Sequence, residues 1–405
     1  MPTVQEACLR SVRALLDLPG YIVARVERRA GWGRLTVVPK RPRWRCPRCG
    51  ATYASSQSWR WRGVRDLDVA QRHIELCVRV DRLDCTTCGL IEIPVPLARP
   101  YARCTKRLER HLFRLTKDAT VKAVAQRLQL DWRTVKDAEV RYIRGLLRKR
   151  NLEDIRRIGI DEVSYAKGHH YLTLVTDLDH HRVIYATHGN DGRAIGRFVR
   201  WLGPERCHRL RVVVTDMHDP YLKVLRRQLP HVALVFDHFH VSKVVHDALD
   251  EIRRRLQREL PPPGRRLIKG QRYVLLRARA TLSKKDQVSL GELLAANTDL
   301  TAGYLLKEAF REVFTARHRR EGKTRLRAWE RQVRESGVPE LLKVLDTIER
   351  RRAGIENFFQ YRVANGMAEG FNNVVGTIKQ QAYGFHDRDY LKLKILRVCG
   401  KLDEH

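Results

Sequence analysis

The chain has 405 residues, with 80 Lys+Arg against 46 Asp+Glu and a formal net charge of +34 at pH 7. Hydrophobic residues make up 43% and charged residues 31%, enough apolar material for cores in two or three domains and too much for a mostly disordered chain. No run approaches the roughly 18 to 20 uncharged apolar residues of a bilayer span, and Met1 to Leu18 mixes Glu6, Arg10, Arg13 and Asp17 into its apolar positions, so neither a membrane protein nor a secreted precursor is expected.

So basic a chain binds something acidic, and nucleic acid is the expected partner. The 61 Arg against 19 Lys fit a GC-rich genome, but codon usage exchanges Lys for Arg without raising the total of basic residues. The excess is uneven. Residues 1–150 hold 33 basic and 14 acidic residues, a balance of +19, and residues 151–405 hold 47 and 32, a balance of +15. The first third therefore carries the denser electrostatic footprint.

In chain order, Val4 to Leu16 reads as a short helix, and Tyr21 to Val26 with Leu35 to Val38 as a strand pair around Gly31 and Gly33. Ile74, Leu76, Val78 and Val80 then alternate with more polar neighbours, the period of a strand. Two cysteine pairs bracket this stretch, Cys46-Pro-Arg-Cys49-Gly and Cys85-Thr-Thr-Cys88-Gly, with 35 residues between them. A C-x2-C turn aims both thiolates at one ion, the following Gly permits the tight backbone, and two such turns complete a tetrahedral zinc site. Nine cysteines without a secretion signal argue against a disulfide framework. The spacing suits a zinc ribbon over about residues 40–95, with Cys77 on a strand outside the site. Four thiolates leave no open position, so this zinc is structural.

Pro94, Pro96 and Pro100 break regular structure and mark a linker, after which residues 104–150 return as helices. Val121, Val124, Ala125 and Leu128 form one apolar face of a short helix. Asp131 can cap a second helix from Trp132 to about Leu147. Two helices with a tight turn, the second bearing Arg133, Lys136 and Arg141, suggest a helix-turn-helix, although an ordinary helical hairpin has the same outline and the usual turn glycine is missing. On the first reading Trp132, Arg133, Thr134 and Lys136 lie at the end of a recognition helix that reaches base edges.

From Ile155 the texture changes. Arg157 to Tyr165, Tyr171 to Asp177 and Arg182 to Thr187 read as consecutive strands with short turns at Lys167-Gly168-His169 and Asp179-His180-His181. Gly192 to Leu202 reads as a helix, Leu210 to Thr215 as a strand, Pro220 to Gln228 as a helix and Val232 to Phe236 as a strand. This order makes a mixed sheet with helices packed on it. From His240 to about Phe359 the pattern is helical, broken at Pro261-Pro262-Pro263-Gly264 and near Gly337-Val338-Pro339. Two apolar runs end in acids, at Asp161 and Asp216. A carboxylate at the end of a buried strand is costly unless used, and two on neighbouring strands converge where Mg(II) can be held. Asp177 reads as a turn residue.

The segment Asn365-Gly366-Met367-Ala368-Glu369-Gly370-Phe371-Asn372-Asn373, followed by Ala382-Tyr383-Gly384-Phe385, with Gly159-Ile160-Asp161-Glu162 and Thr215-Asp216 before it, resembles the DDE transposases of bacterial insertion sequences, specifically the ISL-three family. The resemblance covers nearly the whole chain. It implies an RNase H-like catalytic fold, with Asp161, Asp216 and Glu369 as the triad that holds two Mg(II) ions for DNA cleavage and strand transfer. Asp237-His238-Phe239-His240 resembles a supporting Asp-x2-His motif, giving Asp237 and His240 a role beside the triad or the DNA.

The fold expected is therefore α/β and multidomain. It comprises an N-terminal region with the zinc ribbon (1–100), a helix-turn-helix segment (101–150), an RNase H-like catalytic domain (151–240 and 360–405) and a helical insertion (241–359). The expected partners are double-stranded DNA, both inverted-repeat ends and target, and further copies of the chain in a homodimer or larger DNA complex, in the bacterial cytoplasm at the nucleoid. A non-catalytic zinc-ribbon and helix-turn-helix regulator derived from a transposase is the alternative. The basic runs Arg253 to Arg255 and Arg317 to Arg320 can clamp DNA or simply be solvated helix faces.

Overall fold

Alternating apolar residues near the N-terminus build one sheet. The computed structural model describes residues 16, 18–40, 44–166, 168–382, 385 and 387–402, and it divides into two units, Met1–Arg150 and Asn151–His405. The helix expected over Val4 to Leu16 falls, but for Leu16, outside the described residues, as do Lys167 of the first turn and Tyr383-Gly384 of the late motif.

In the first unit β1 (Tyr21–Arg29) and β2 (Trp32–Pro39) form the expected hairpin. The short strands β3 (Trp44–Arg45) and β4 (Thr52–Tyr53) pair with each other. A second hairpin joins β5 (Ser58–Arg65) to β6 (His73–Cys85), and β7 (Gly89–Glu92) folds back on the end of β6. Strand β6 also pairs in parallel with β2, so the five-stranded sheet runs β1-β2-β6-β5 with β7 alongside β6. The predicted alternation falls on β6: Ile74, Leu76, Val78 and Val80 are all buried, with Leu35, Val37 and Val64 beside them. The ribbon hairpin thus shares its central strand and its core with the N-terminal hairpin.

The proline segment after β7 is irregular, as expected, yet it is packed down and does not swing free as a linker would. Val95, Leu97 and Ala98 alternate with the prolines and join the same apolar core. Three helices follow, α1 (Lys106–Asp118), α2 (Val121–Arg127) and α3 (Trp132–Lys149). Buried Asp66 ties the first to the sheet through Thr105 and Arg107, and buried Glu109 receives Arg99 and Arg141. Arg141 is therefore spent inside the fold.

The second unit contains β8 (Arg157–Ala166), β9 (His170–Asp177), β10 (Arg182–His188), β11 (Val212–Thr215) and β12 (Ala233–Phe236), in the order β10-β9-β8-β11-β12. The first three are antiparallel neighbours, while β11 is parallel to both β8 and β12. Alternation along β8 fixes its two faces. Ile158 and Ile160 pack against α4 (Gly192–Leu202), α5 (Pro204–Arg209) and α6 (Asp219–Gln228), of which α5 was not anticipated. Val163 and Tyr165 pack against the late helices.

A helical body fills the stretch between β12 and those late helices. It runs through α7 (His238–Glu259), α8 (Pro262–Ile268), α9 (Arg272–Leu276), α10 (Lys284–Ala295), α11 (Thr298–Phe314), α12 (Arg319–Ser336) and α13 (Pro339–Tyr361). Both expected breaks are there: α8 starts on Pro262, and Gly337 at φ +64 ends α12 before Pro339 starts α13. One apolar cluster runs from Val212, Val214 and Phe236 of the sheet into Leu249, Tyr304, Trp329 and Ile355 of these helices, so the body grows out of the sheet's own core. The chain then returns through α14 (Met367–Gln381) and α15 (Arg388–Val398), which cover β8 to β10.

Candidate active site and zinc site

The first cysteine turn lies between β3 and β4 and the second between β6 and β7. Gly50 and Gly89, each directly after a pair, have φ of +81° and +73°, the left-handed region where a side chain is strained. The Sγ atoms of Cys46, Cys49, Cys85 and Cys88 all lie within 4.8 Å of one another. Zinc with bonds of about 2.3 Å spaces tetrahedral sulfurs by about 3.8 Å, so this donor set fits it. The crowding shows in the thiols: the Tyr53 hydroxyl draws Cys85 down to about 6, while burial and the neighbouring sulfurs push Cys88 up to about 12. Cys77 lies on β6 outside the cluster.

Helices α2 and α3 meet as the sequence suggested. Thr120 and Asp131 cap them, accepting from the N–H groups of Ala123 and Arg133. The turn glycine is replaced by Gln129 at φ +50°, held by its Oε1 against His73 Nε2 at 2.9 Å. Trp132 is 49% exposed at the start of α3, with the Arg133 guanidinium 5.5 Å and Lys136 Nζ 5.9 Å from its ring. Thr134 is half-buried beside them. Such an exposed aromatic flanked by cations is suited to an anionic, flat-faced ligand.

In the second unit the parallel register pairs Val212 with Arg157 and Val214 with Gly159, an offset of 55. Carried two residues further, the same offset sets Asp216 level with Asp161. Asp161 faces α14, whose Asn372 Nδ2 donates to Asp161 Oδ2 at 2.9 Å. Burial pushes the Asp161 carboxyl above its ordinary range, and the Asp216 charge adds to the push. Asp216 Oδ1 accepts from the His218 N–H at 3.1 Å. Glu369 lies in the first turn of α14, exposed, three residues before Asn372 and so on the same helix face. Among the described residues, the four cysteines are the one group of three or more metal-ligating side chains drawn together. Asp216 is close enough for its charge to act on Asp161, and Glu369 stands on the helix that is bonded to Asp161 through Asn372.

Asp237 is buried at the end of β12. It caps α7, with Oδ1 accepting from Phe239 N at 3.0 Å and Oδ2 from Asn365 N at 3.1 Å. Both oxygens are engaged, which makes it a tie between strand and late motif. His240 is exposed and close enough for its charge to oppose the rise in Asp161. Glu162 points to the opposite face from Asp161. There the Tyr221 hydroxyl bonds it, 2.8 Å from Thr173 Oγ1, and burial with the Asp216 charge raises its carboxyl. Asp177 is a turn residue, receiving the N–H groups of Asp179 and His180.

Asn365 and Asn372 carry no signal in the sequence that assigns them a task, and Tyr221 has the spacing of an ordinary core residue. Arg253, Arg254 and Arg255 are taken up by Asp250, Asp299 and Glu340 of the helical body. Buried oxygens without partners include Asn365 Oδ1 and Asn372 Oδ1 of the late motif, and Glu162 Oε1 and Thr215 Oγ1 of the sheet. The carboxylate oxygens of Asp161, Asp216 and Glu369 are donors of the kind a hard divalent cation such as magnesium takes.

Residues 158–395 match the family described as transposase of the DDE ISL3 type. Residues 93–143 match the helix-turn-helix domain of transposase family ISL3, and residues 42–88 the zinc-finger of transposase IS204/IS1001/IS1096/IS1165. The chain is 30% identical over 384 residues to the transposase for insertion sequence element IS1001 of Bordetella parapertussis, covering 93% of this chain and 94% of that one. It is also 30% identical over 431 residues to the transposase for insertion sequence element IS1557 of Mycobacterium tuberculosis, covering 97% and 96%.

Proposed function

Because the chain belongs to the ISL3 family of DDE transposases, we propose that Asp161, Asp216 and Glu369 are the carboxylates with which it cuts and joins DNA at the ends of its own insertion sequence. The protein is a DNA-binding enzyme of transposition with a structural zinc. The terminal inverted repeats are the DNA it reads, with Trp132, Arg133, Thr134 and Lys136 at the reading end of α3. The observation that carries the reading is the level placement of Asp161 and Asp216 on parallel strands, with the Glu369 helix bonded to Asp161 through Asn372.

The strand order β10-β9-β8-β11-β12, antiparallel then parallel, supports an RNase H-like catalytic domain over 151–240 and 360–405, with 241–359 as its helical insertion. Residues 1–100 form the ribbon region and 101–150 the DNA-reading segment. The triad would hold magnesium, two ions in this reading, which would neutralise the phosphodiester and stabilise its attacking and leaving oxygens. The chain's own residues do the positioning: the Glu162 N–H bonds Asp161, and Asp237 fastens β12 to the late motif. No described helix is long and apolar enough to cross a membrane. We further propose that the chain acts as a homodimer or larger assembly on paired ends, in the bacterial cytoplasm at the nucleoid.

The test is a strand-transfer assay. Purified protein, Mg(II) and a pre-cleaved element end with a free 3′-hydroxyl should give joined product. Binding of the end without cutting or joining would favour a regulator, and cutting without joining a nuclease.

A further inference from the structure

The helix that carries Glu369, together with the segment just before it, is fastened to the strand that carries Asp161 at three points. Asn365 occupies the space in front of Gly159, where a Cβ would come within 2.3 Å of its Oδ1. Its Nδ2 donates to the Ile160 carbonyl at 3.4 Å. Asn372 Nδ2 donates to Asp161 Oδ2 at 2.9 Å, and Lys379 Nζ to the Ser164 carbonyl at 3.2 Å. Asn372 and Lys379 are seven residues apart, two helical turns, and lie on one stripe of α14, while Asn365 stands just before the helix begins at Met367. From Asn372 to Lys379 the helix rises about 10.5 Å, and from Asp161 to Ser164 the strand advances about 10 Å. Over this stretch α14 therefore lies along β8.

Of the three contacts only Asn372 touches a carboxylate of the triad. Its amide suits that place. An ammonium group would compete with a cation for the same oxygen, a carboxylate would repel Asp161, and an apolar side chain would leave the carboxylate free to turn. Hydrogen-bonding groups behind a metal ligand set its orientation, and their loss typically weakens metal binding about 10–100-fold.

We propose that Asn372 is a positioning residue for the reaction: its amide holds the Asp161 carboxylate in the orientation in which it meets the divalent cation, while Asn365 and Lys379 keep helix and strand in register. The inference rests on the reading of Asp161 as a metal ligand. Asn372 itself binds neither cation nor DNA.

The experiment uses the full, zinc-loaded chain with Asn372→Ala and Asn372→Ser, Asn373→Ala as an exposed neighbour for control, and Asp161→Asn as reference. Mn(II) binding is measured by calorimetry without DNA, and the Mg(II) concentration for half-maximal cleavage is measured with it. Asn372→Ala should weaken Mn(II) binding about 10-fold or more and raise the half-maximal Mg(II) concentration to match. Excess Mg(II) should restore cleavage, and end-DNA affinity should stay at the wild-type value. Unchanged Mn(II) affinity in both Asn372 variants, with Asp161→Asn inactive, overturns the positioning role and spares the triad. Wild-type cleavage by Asp161→Asn overturns the triad itself. Loss of fold in both Asn372 variants also overturns the proposal, because the bond is then merely structural.

Discussion

Asn372 donates to the Asp161 carboxylate across 211 residues of sequence, and this bond closes the catalytic unit on itself. The strand it reaches begins the unit and the helix it leaves nearly ends it, so the site exists only once the whole intervening body has folded. A substitution that loosens the helical body should therefore damage catalysis without touching an acid.

The triad makes the first prediction. Asp161→Asn, Asp216→Asn and Glu369→Gln each remove a negative charge and almost no volume, so fold and end binding should persist. Mg(II)-dependent cleavage should fall by at least three orders of magnitude, measured by single-turnover cleavage beside a gel-shift titration. Glu162→Gln should cost far less, about 10-fold, because Glu162 faces Tyr221 and acts on Asp216 only through its charge. Equal losses from Glu162 and Asp161 would place the cation on the other face of β8.

Much of this candidate site is legible in the sequence because strands advertise themselves by alternation and because both Asp residues end apolar runs. The capped α3 was equally open to reading, since Asp131 bonds two residues ahead. What stayed hidden is long-range. Arg255 looks like a free cation until Glu340 and Asp299 arrive from other helices. Tyr221 looks like core because it is core, apart from its hydroxyl. The prolines of 94–100 announce irregular backbone and say nothing of whether Val95 and Leu97 between them are buried.

The cysteines make a second prediction. Cys49→Ser should abolish binding of one zinc per chain and unfold the ribbon, since binding energy at such a site is folding energy. Cys77→Ser should keep the metal. Metal analysis with thermal unfolding decides it, and equal zinc loss in both variants would sink the four-thiol assignment. Zinc uptake should also release protons, most of all from Cys88, whose thiol stands at about 12 without metal.

At the start of α3 the expected effect is on DNA. Arg133→Ala with Lys136→Ala should weaken end binding and lower the salt slope by about 2, one for each lost phosphate contact. Trp132→Ala should weaken binding with little change of slope, because an indole releases no counterion. Unchanged affinity in all three would move DNA reading away from α3.

The last prediction concerns pH. Burial raises the carboxyls of Asp161 and Glu162 above their ordinary values of 3.8 and 4.5. For a carboxyl raised by folding, the folded state holds its proton in a range where the unfolded chain has already lost it. Stability therefore falls as pH rises from the ordinary value through the folded one, by about 1.4 kcal/mol for each unit between them. Below the ordinary value both states are protonated and the effect vanishes. Asp161→Asn removes this penalty, and the amide it introduces can still meet Asn372. In Mg(II)-free buffer without chelator, so that zinc stays bound, the variant should melt with wild type near pH 4 and above it at pH 7 to 8. Adding Mg(II) at pH 8 should raise the melting temperature of wild type and leave the variant unmoved, because the cation favours the ionised carboxylate that the fold disfavours. A gap between the two that is constant with pH, or widest in acid, would show that Asp161 is not held in a desolvated site.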